Sequence, residues 1–333
     1  MNVLRWSKIK GFRLALCLVV SAVCLYLAMR GMDFERTVQE LRKSSPTPIL
    51  GAVFFLFLSY WIRAYRWSYL LLPIKKIATR PLFRSTLIGF MGNYLLPFRA
   101  GEVMRAVSVG QNQNISKAAA LGSILVERVF DGVVLSLTPF LFLAVLDLPR
   151  WILWVNLSLL MVYVIGLLLL VVAGRRGWIE VWLNPMTGLL PGLIGKRLGS
   201  IAGDFLQGMK GINRAGALFP VCLLSLLCWF FHGLYFFLLF EALDLELSFG
   251  AALIIQMVIG LGVILPAAPG YIGNFEYFAV LGLALFGIAQ EAAFAYALLA
   301  HICQFIPVTA VGLFFTLRDG FQPQVEAAGA QTG

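Results

Sequence analysis

Glu127, Arg128 and Asp131 stand within little more than one helical turn of each other, in an otherwise apolar stretch at residues 118–146. On a helix rising about 1.5 Å per residue they come to lie near the middle of a bilayer. Ionisable groups at that depth are costly unless they face protein or water, which makes them functional candidates. Glu127 and Asp131 are four apart and share a face, with Arg128 one step round. The chemistry they suit is ionic recognition. A guanidinium donates in pairs to a phosphate or carboxylate, and the carboxylates balance arginines or engage an amine or a proton. The other reading is a structural ion pair that ties spans together through Arg63 or Arg66. Those two arginines are three apart on one face, near the end of the apolar stretch at 47–72.

A second group sits at a break. An apolar run ending Asn93-Tyr94-Leu95-Leu96 is interrupted by Pro97-Phe98-Arg99-Ala100-Gly101 and followed by Glu102 and Arg105. Arg99, held between Pro97 and Gly101, is a candidate headgroup contact. Anchoring at the cytoplasmic interface accounts well for Arg105 and less well for Arg99. A later run breaks at Pro266 and at Pro269-Gly270 and is followed by Asn274 and Glu276. Asn93, Asn274 and Glu276 are polar groups on the two broken segments; helix capping is the alternative for the asparagines. His232 and His301 each stand alone in an apolar stretch, where a satisfied core histidine is the simpler account.

The elements that must position these residues are membrane helices. The chain is 60% hydrophobic and 13% charged, with a mean hydropathy of +0.88, more apolar surface than a soluble protein of 333 residues can hide. The net charge of +10 reads as a topology signal, because the basic residues flank apolar runs; nucleic acid is excluded as a partner. The five cysteines lie in apolar runs without a CxxC pair, so neither a disulfide frame nor a metal site is expected. Arg5, Lys8, Lys10 and Arg13 precede the first apolar run, and no small-residue cleavage site follows it, which favours an uncleaved first span. No HExxH, GxSxG or P-loop motif is present, so no catalytic residues and no cofactor are assigned.

The expected fold is all-α and polytopic, with about six full spans and two re-entrant broken hairpins at 81–109 and 249–288. Residues 1–173 hold the first repeat half and the opening span of the second. Residues 174–216 form a basic cytoplasmic interfacial segment, 217–317 the rest of the second half, and 318–333 a loose tail. No Lys or Arg occurs between Arg214 and Arg318, and the positive-inside rule then places both termini in the cytoplasm. The sequence also repeats. Leu96-Pro97-Phe98-Arg99-Ala100-Gly101 returns as Leu265-Pro266-Ala267-Ala268-Pro269-Gly270 about 170 residues later. Trp61 and Trp229, and the Glu127–Asp131 and Ala300–Gln304 stretches, keep nearly the same offset. The span count makes the second half inverted, as in transporters whose broken helices meet near the midplane.

Asn93 to Glu102, Arg105, Glu127-Arg128-Val129-Phe130-Asp131 and Leu265 to Gly270 with Gly273 and Glu276 resemble the flippase-like integral membrane family. That family is also called the lysylphosphatidylglycerol synthase transmembrane region. The resemblance implies lipid movement across the inner membrane, and carries over Asn93, Pro97, Arg99, Gly101, Glu102, Arg105, Glu127, Arg128, Asp131, Pro266, Pro269, Gly270 and Glu276. The chain stops at Gly333 without a synthase domain, so synthase activity is not implied. The expected function is a lipid translocase, with Arg99 and Arg128, joined by Arg63 and Arg66, on an anionic headgroup. Glu276 and His301 are lesser candidates for a coupling proton. The alternatives are a membrane enzyme acting on a lipid or polyprenyl phosphate, and a non-transporting partner of a lipid-synthesis enzyme.

Overall fold

The computed structural model describes residues 2–96, 100–143, 148–176, 192–213 and 216–319. Pro97 and Arg99, residues 177–191 and 214–215 of the basic segment, and the tail beyond Asp319 lie outside the described residues. Among those described there are twelve α-helices and no strand, as a chain in lipid requires when every backbone N–H and C=O must be satisfied within its own segment.

Helix α1 (Asn2–Met29) is followed by the short α2 (Phe34–Arg42), whose first amides are capped by the Asp33 carboxylate. Then come α3 (Pro46–Leu71), α4 (Thr79–Leu95), α5 (Gly101–Gln113), α6 (Lys117–Leu141) and α7 (Arg150–Arg176). After α8 (Gly192–Met209) the chain continues with α9 (Leu218–Ala242), α10 (Phe249–Ile264), α11 (Asn274–Ala284) and α12 (Gln290–Arg318).

Four helices, α3, α7, α9 and α12, are long and apolar enough to cross a membrane. The stretch Ala15–Met29, bent by 83° against α2, makes a fifth candidate. The sequence count of about six also included the 118–146 run. Helix α6 is long enough at 25 residues, but Glu127, Arg128 and Asp131 set it apart from the uniformly apolar helices.

The two breaks have one physical cause. A residue before proline is pushed out of the α region into extended geometry. Leu96 precedes Pro97 and has φ −111°, ψ 145°; Leu265 precedes Pro266 and has φ −65°, ψ 155°. Helices α4 and α10 therefore stop there. At 17 and 16 residues they reach about 25 Å, short of a hydrocarbon core of about 30 Å. Each packs on the still shorter helix that follows it. In the first pair the approach is close: a Cβ at Gly101 would run into the Gly89 carbonyl and the Asn93 amide. Small residues permit such crossings in membranes, where packing rather than hydrophobicity drives association.

The same four-helix order occurs twice. Helices α3, α4, α5 and α6 begin at residues 46, 79, 101 and 117; α9, α10, α11 and α12 begin at 218, 249, 274 and 290. Among the described residues the most extensive helix contact is between the leading members, α3 and α9, and α4 packs on α12. The site lies between these two sets.

Candidate functional site

Helix α3 turns Arg63 and Arg66 inward on one face, α5 contributes Arg105, and α6 contributes Glu127, Arg128 and Asp131. The structure brings all six together. Arg105 holds Glu127 through two parallel bonds, Nη1 to Oε1 at 2.7 Å and Nη2 to Oε2 at 3.0 Å. Arg63 Nη1 donates to Asp131 Oδ2 at 2.5 Å, and Arg66 Nη1 to Asp131 Oδ1 at 2.8 Å. Arg128 Nη2 donates to Glu127 Oε1 at 2.8 Å. Neutral donors and rings complete the enclosure. Trp229 Nε1 donates to Asp131 at 3.0 Å, Arg66 donates to Ser225 Oγ at 2.7 Å, and Arg105 lies over the Trp67 ring at 3.9 Å.

These groups are not equally hidden. Arg63, Arg66, Arg105, Glu127 and Asp131 are buried, whereas the Arg128 side chain is 32% exposed and that of Glu102, 3.6 Å from Arg128 Nε, is 23% exposed. The buried five therefore form an ionic scaffold; Arg128 and Glu102 are its more open members. Four arginines meet three carboxylates, so the cluster carries one excess positive charge. A buried guanidinium needs full pairing to offset its desolvation, and Arg128, the most open of the four, is where an anion would complete it.

Arg128 and Glu102 open onto a cavity of about 160 Å³. Asn93 and Gln304 supply further polar wall, and among the described residues Asn93 Oδ1 and Gln304 Oε1 are buried acceptors with no protein donor. Buried acceptors of that kind call for a donor from ligand or water. Aromatic side chains of Tyr60, Phe90, Tyr94, Trp229 and Phe275 close the space. An apolar groove of about 410 Å³ adjoins it, running between Leu16 and Cys17 of α1 and the Ile264–Ala268 break. Asn93 and Tyr271 line both spaces and form the boundary between them.

The second break is organised around Glu276 and His301. Glu276 Oε2 accepts the Gly273 amide at 2.6 Å, and Oε1 lies 2.5 Å from His301 Nδ1. His301 Nε2 is 2.7 Å from the Gly270 carbonyl, and its ring stacks on Phe275. Gly270 has φ +77° and Gly273 φ +89°, positions where a side chain would be strained. Asn274 is buried away from the cavity; its amide donates to the Gly262 and Pro266 carbonyls and its Oδ1 accepts from Ser21 of α1. That is the bonding of a cap for a broken helix. Pro266 and Pro269 hold the backbone of the break, while Pro97 and Arg99 lie outside the described residues.

Sequence reasoning did not single out Gln256, Gln304 or the cavity tyrosines, and gave His232 only a core role. His232 lines the cavity and pairs with Gln256 at 3.0 Å. A lone glutamine in the apolar run of α10 was a usable signal, and Gln304 already stood opposite Asp131 in the repeat.

The profile of the lysylphosphatidylglycerol synthase TM region matches residues 14–312. The chain belongs to that family. It is similar to a UPF0104 membrane protein of Methanothermobacter thermautotrophicus, with 24% identity over 330 residues, covering 92% of this chain and 94% of the relative. A second UPF0104 membrane protein of the same organism is 29% identical over 268 residues, 77% of this chain and 78% of the relative. One from Methanocaldococcus jannaschii is 24% identical over 324 residues, 92% and 94% of the two chains. The protein is thus a multi-pass membrane protein of the lysylphosphatidylglycerol synthase TM region and UPF0104 group.

Proposed function

We propose that the protein translocates a lipid with an anionic or amino-modified headgroup across the cytoplasmic (inner) membrane. The observation that carries this reading is the join at Asn93 and Tyr271 between a charged cavity and an apolar groove. A lipid has the same two-part chemistry. Its phosphate completes the pairing of Arg128, an amine where present meets Glu102 and the aromatic walls, and its chains leave through the groove to the bilayer. About 160 Å³ is room for a few waters, each occupying about 30 Å³ in the liquid. That suits a small headgroup and leaves the chains outside. Arg99, in the first break, is a further headgroup contact in this reading.

The twice-occurring helix order supports a rocking mechanism. In our reading the two halves are inverted in the membrane, the broken pairs α4–α5 and α10–α11 are re-entrant, and both termini are cytoplasmic. Two opposed halves then expose one site to either side in turn. A lipid-synthesis enzyme that supplies the substrate is the partner this function calls for.

The test is a headgroup-accessibility assay in proteoliposomes with fluorescent anionic, zwitterionic and cationic lipids, comparing wild type with Arg128→Gln. Protein-dependent movement of one headgroup class, lost in the variant, is expected. Equal movement in the variant, or none with any class, overturns the reading. A lipid of altered mass after incubation assigns the cavity to an enzyme instead.

A further inference from the structure

Each helix set places one basic side chain against one carboxylate beside the central cavity. In the first, Arg128 of α6 faces Glu102, in the first turn of α5, at 3.6 Å. In the second, His301 of α12 faces Glu276, in the first turn of α11, at 2.5 Å. Arg128 and His301 stand equally far from the starts of their helices, Lys117 and Gln290. The pairs differ in one respect. A guanidinium is always charged, whereas an imidazole is charged only when it holds a second proton.

The hydrogen-bond partners fix the proton count. A backbone carbonyl only accepts, so His301 Nε2 carries its hydrogen toward Gly270 O at 2.7 Å. Glu276 Oε2 already accepts from the Gly273 N–H. That leaves Nδ1 and Oε1 at 2.5 Å with one proton between them. The pair is either imidazolium with carboxylate or imidazole with carboxylic acid, and both forms have zero net charge. Without that proton a nitrogen lone pair faces a carboxylate oxygen at hydrogen-bond distance, and the contact opens.

What opens is the tie across the second break. His301 pins Gly270, Glu276 pins Gly273, and the two glycines bracket the turn between α10 and α11. Both side chains are more than nine-tenths buried, at 9% and 4% exposed, so water does not replace the lost bond in place. His301 also lines the cavity, which gives its proton a route in and out. Other titratable groups around the pair are Tyr271 of the turn, Tyr94 of α4 and Tyr60 of α3. Helix α9 adds His232 and Tyr235, and Cys303 lies on α12 itself. Arg63, Arg128 and Glu102 also line the cavity. Among the described residues Glu276 is the carboxylate within 4.0 Å of His301.

We propose that His301 and Glu276 form a proton-binding site whose occupancy locks the second broken segment, and that this proton is the ion coupled to movement of the cavity's ligand. The coupling clause rests on the translocase reading; the proton site and its lock do not. One proton enters from the cavity to close the Nδ1–Oε1 contact, and the same proton leaves when the segment opens.

The chain has two histidines, so selective ¹⁵N-imidazole labelling gives a two-residue spectrum, and His232→Gln assigns it. Spectra and amide hydrogen exchange of residues 266–276 are followed in lipid nanodiscs across a pH series, with exchange corrected for its intrinsic pH dependence. Wild type is expected to lose the His301 Nδ1 proton signal and the protection of 266–276 together as pH rises. Glu276→Gln, whose neutral amide can donate to Nδ1, is expected to hold protection at every pH. Protection that stays flat in wild type, or falls equally in Glu276→Gln, overturns the proton site. Transport is then measured with an imposed pH gradient. Rates indifferent to the gradient in a protein that passes the first test overturn the coupling. Absence of all lipid movement overturns the translocase reading and, with it, the coupling clause, while the lock stands on the exchange data.

Discussion

Arg105 grips Glu127 through two parallel bonds of 2.7 and 3.0 Å, and neither side chain is open to solvent. The carboxylate is shared: Arg66 and Arg128 also lie within ion-pair distance of Glu127. Such a group cannot move with a passing ligand without unpairing several charges at once. The pair joins α5, the second arm of the first broken segment, to α6.

Removing the shared carboxylate is therefore expected to be a folding lesion. Glu127→Ala strands buried guanidinium groups, and breaking a buried pair from one side costs about 3–5 kcal/mol. Replacing both partners, Glu127→Leu with Arg105→Met, leaves fewer unpaired charges and is expected to recover part of the loss. Thermal unfolding of the purified single and double variants in one detergent measures the difference; a double variant less stable than either single one contradicts the scaffold assignment.

Arg128 behaves differently because it is the partly open member. Arg128→Gln keeps a polar side chain at the cavity wall and leaves the Arg105–Glu127 and Arg63–Asp131 bonds in place. Its melting temperature is expected to stay near that of wild type while movement of anionic lipid is lost. Arg128→Lys keeps the charge without the paired fork and is expected to fall between the two. The measurements are a detergent melting curve and the proteoliposome assay on the same preparations.

The contrast between these two arginines was only partly legible in the sequence. Charges in an apolar run announced the cluster, and Arg63 and Arg66 were already candidates for its ion pairs. Arg105 looked like an interfacial anchor because its partner, Glu127, belongs to a different helix and local spacing cannot show where a side chain ends. The breaks were legible, since proline acts on the residue before it and the effect is local. The bond from His301 to Glu276 was not. It depends on two positive-φ glycines in the turn between α10 and α11, which no local pattern states. The Asn93–Tyr271 boundary between cavity and groove likewise joins residues from opposite halves of the chain.

Glycine positions separate a packing requirement from mere tolerance. At Gly101 a Cβ would meet backbone of α4, at the Gly89 carbonyl and the Asn93 amide, which cannot swing aside. Gly101→Ala is expected to push the two arms of the first broken segment apart and lower stability by more than about 1 kcal/mol, within the range for overpacking. At Gly166, in the middle of α7, a Cβ would meet nothing within 4 Å. Gly166→Ala is expected to be neutral or to stabilise by up to about 1 kcal/mol, the helix-propensity difference. Melting temperatures of the two variants are expected to move in opposite directions, and a matched loss at both sites would disprove the close crossing.

The apolar groove gives the most direct check on which part of a lipid goes where. Ala267 lines it at the second break, beside Leu265 and Pro266 and across from Leu16 of α1. Ala267→Trp places a large ring in the groove and leaves the charged cavity wall untouched. If the groove carries hydrocarbon, long-chain lipid is expected to move more slowly in this variant. A short-chain lipid with the same headgroup, which scarcely enters the groove, is expected to bind as it does to wild type. Binding is read by competition against a fluorescent headgroup analogue, and movement by the accessibility assay. Arg128→Gln should show the reverse, with loss of both ligands whatever their chain length. Should Ala267→Trp weaken the short-chain ligand as much as the long, the ring disturbs the headgroup cavity and the division of labour at Asn93 and Tyr271 fails. Should it affect neither, the chains take another route out of the cavity.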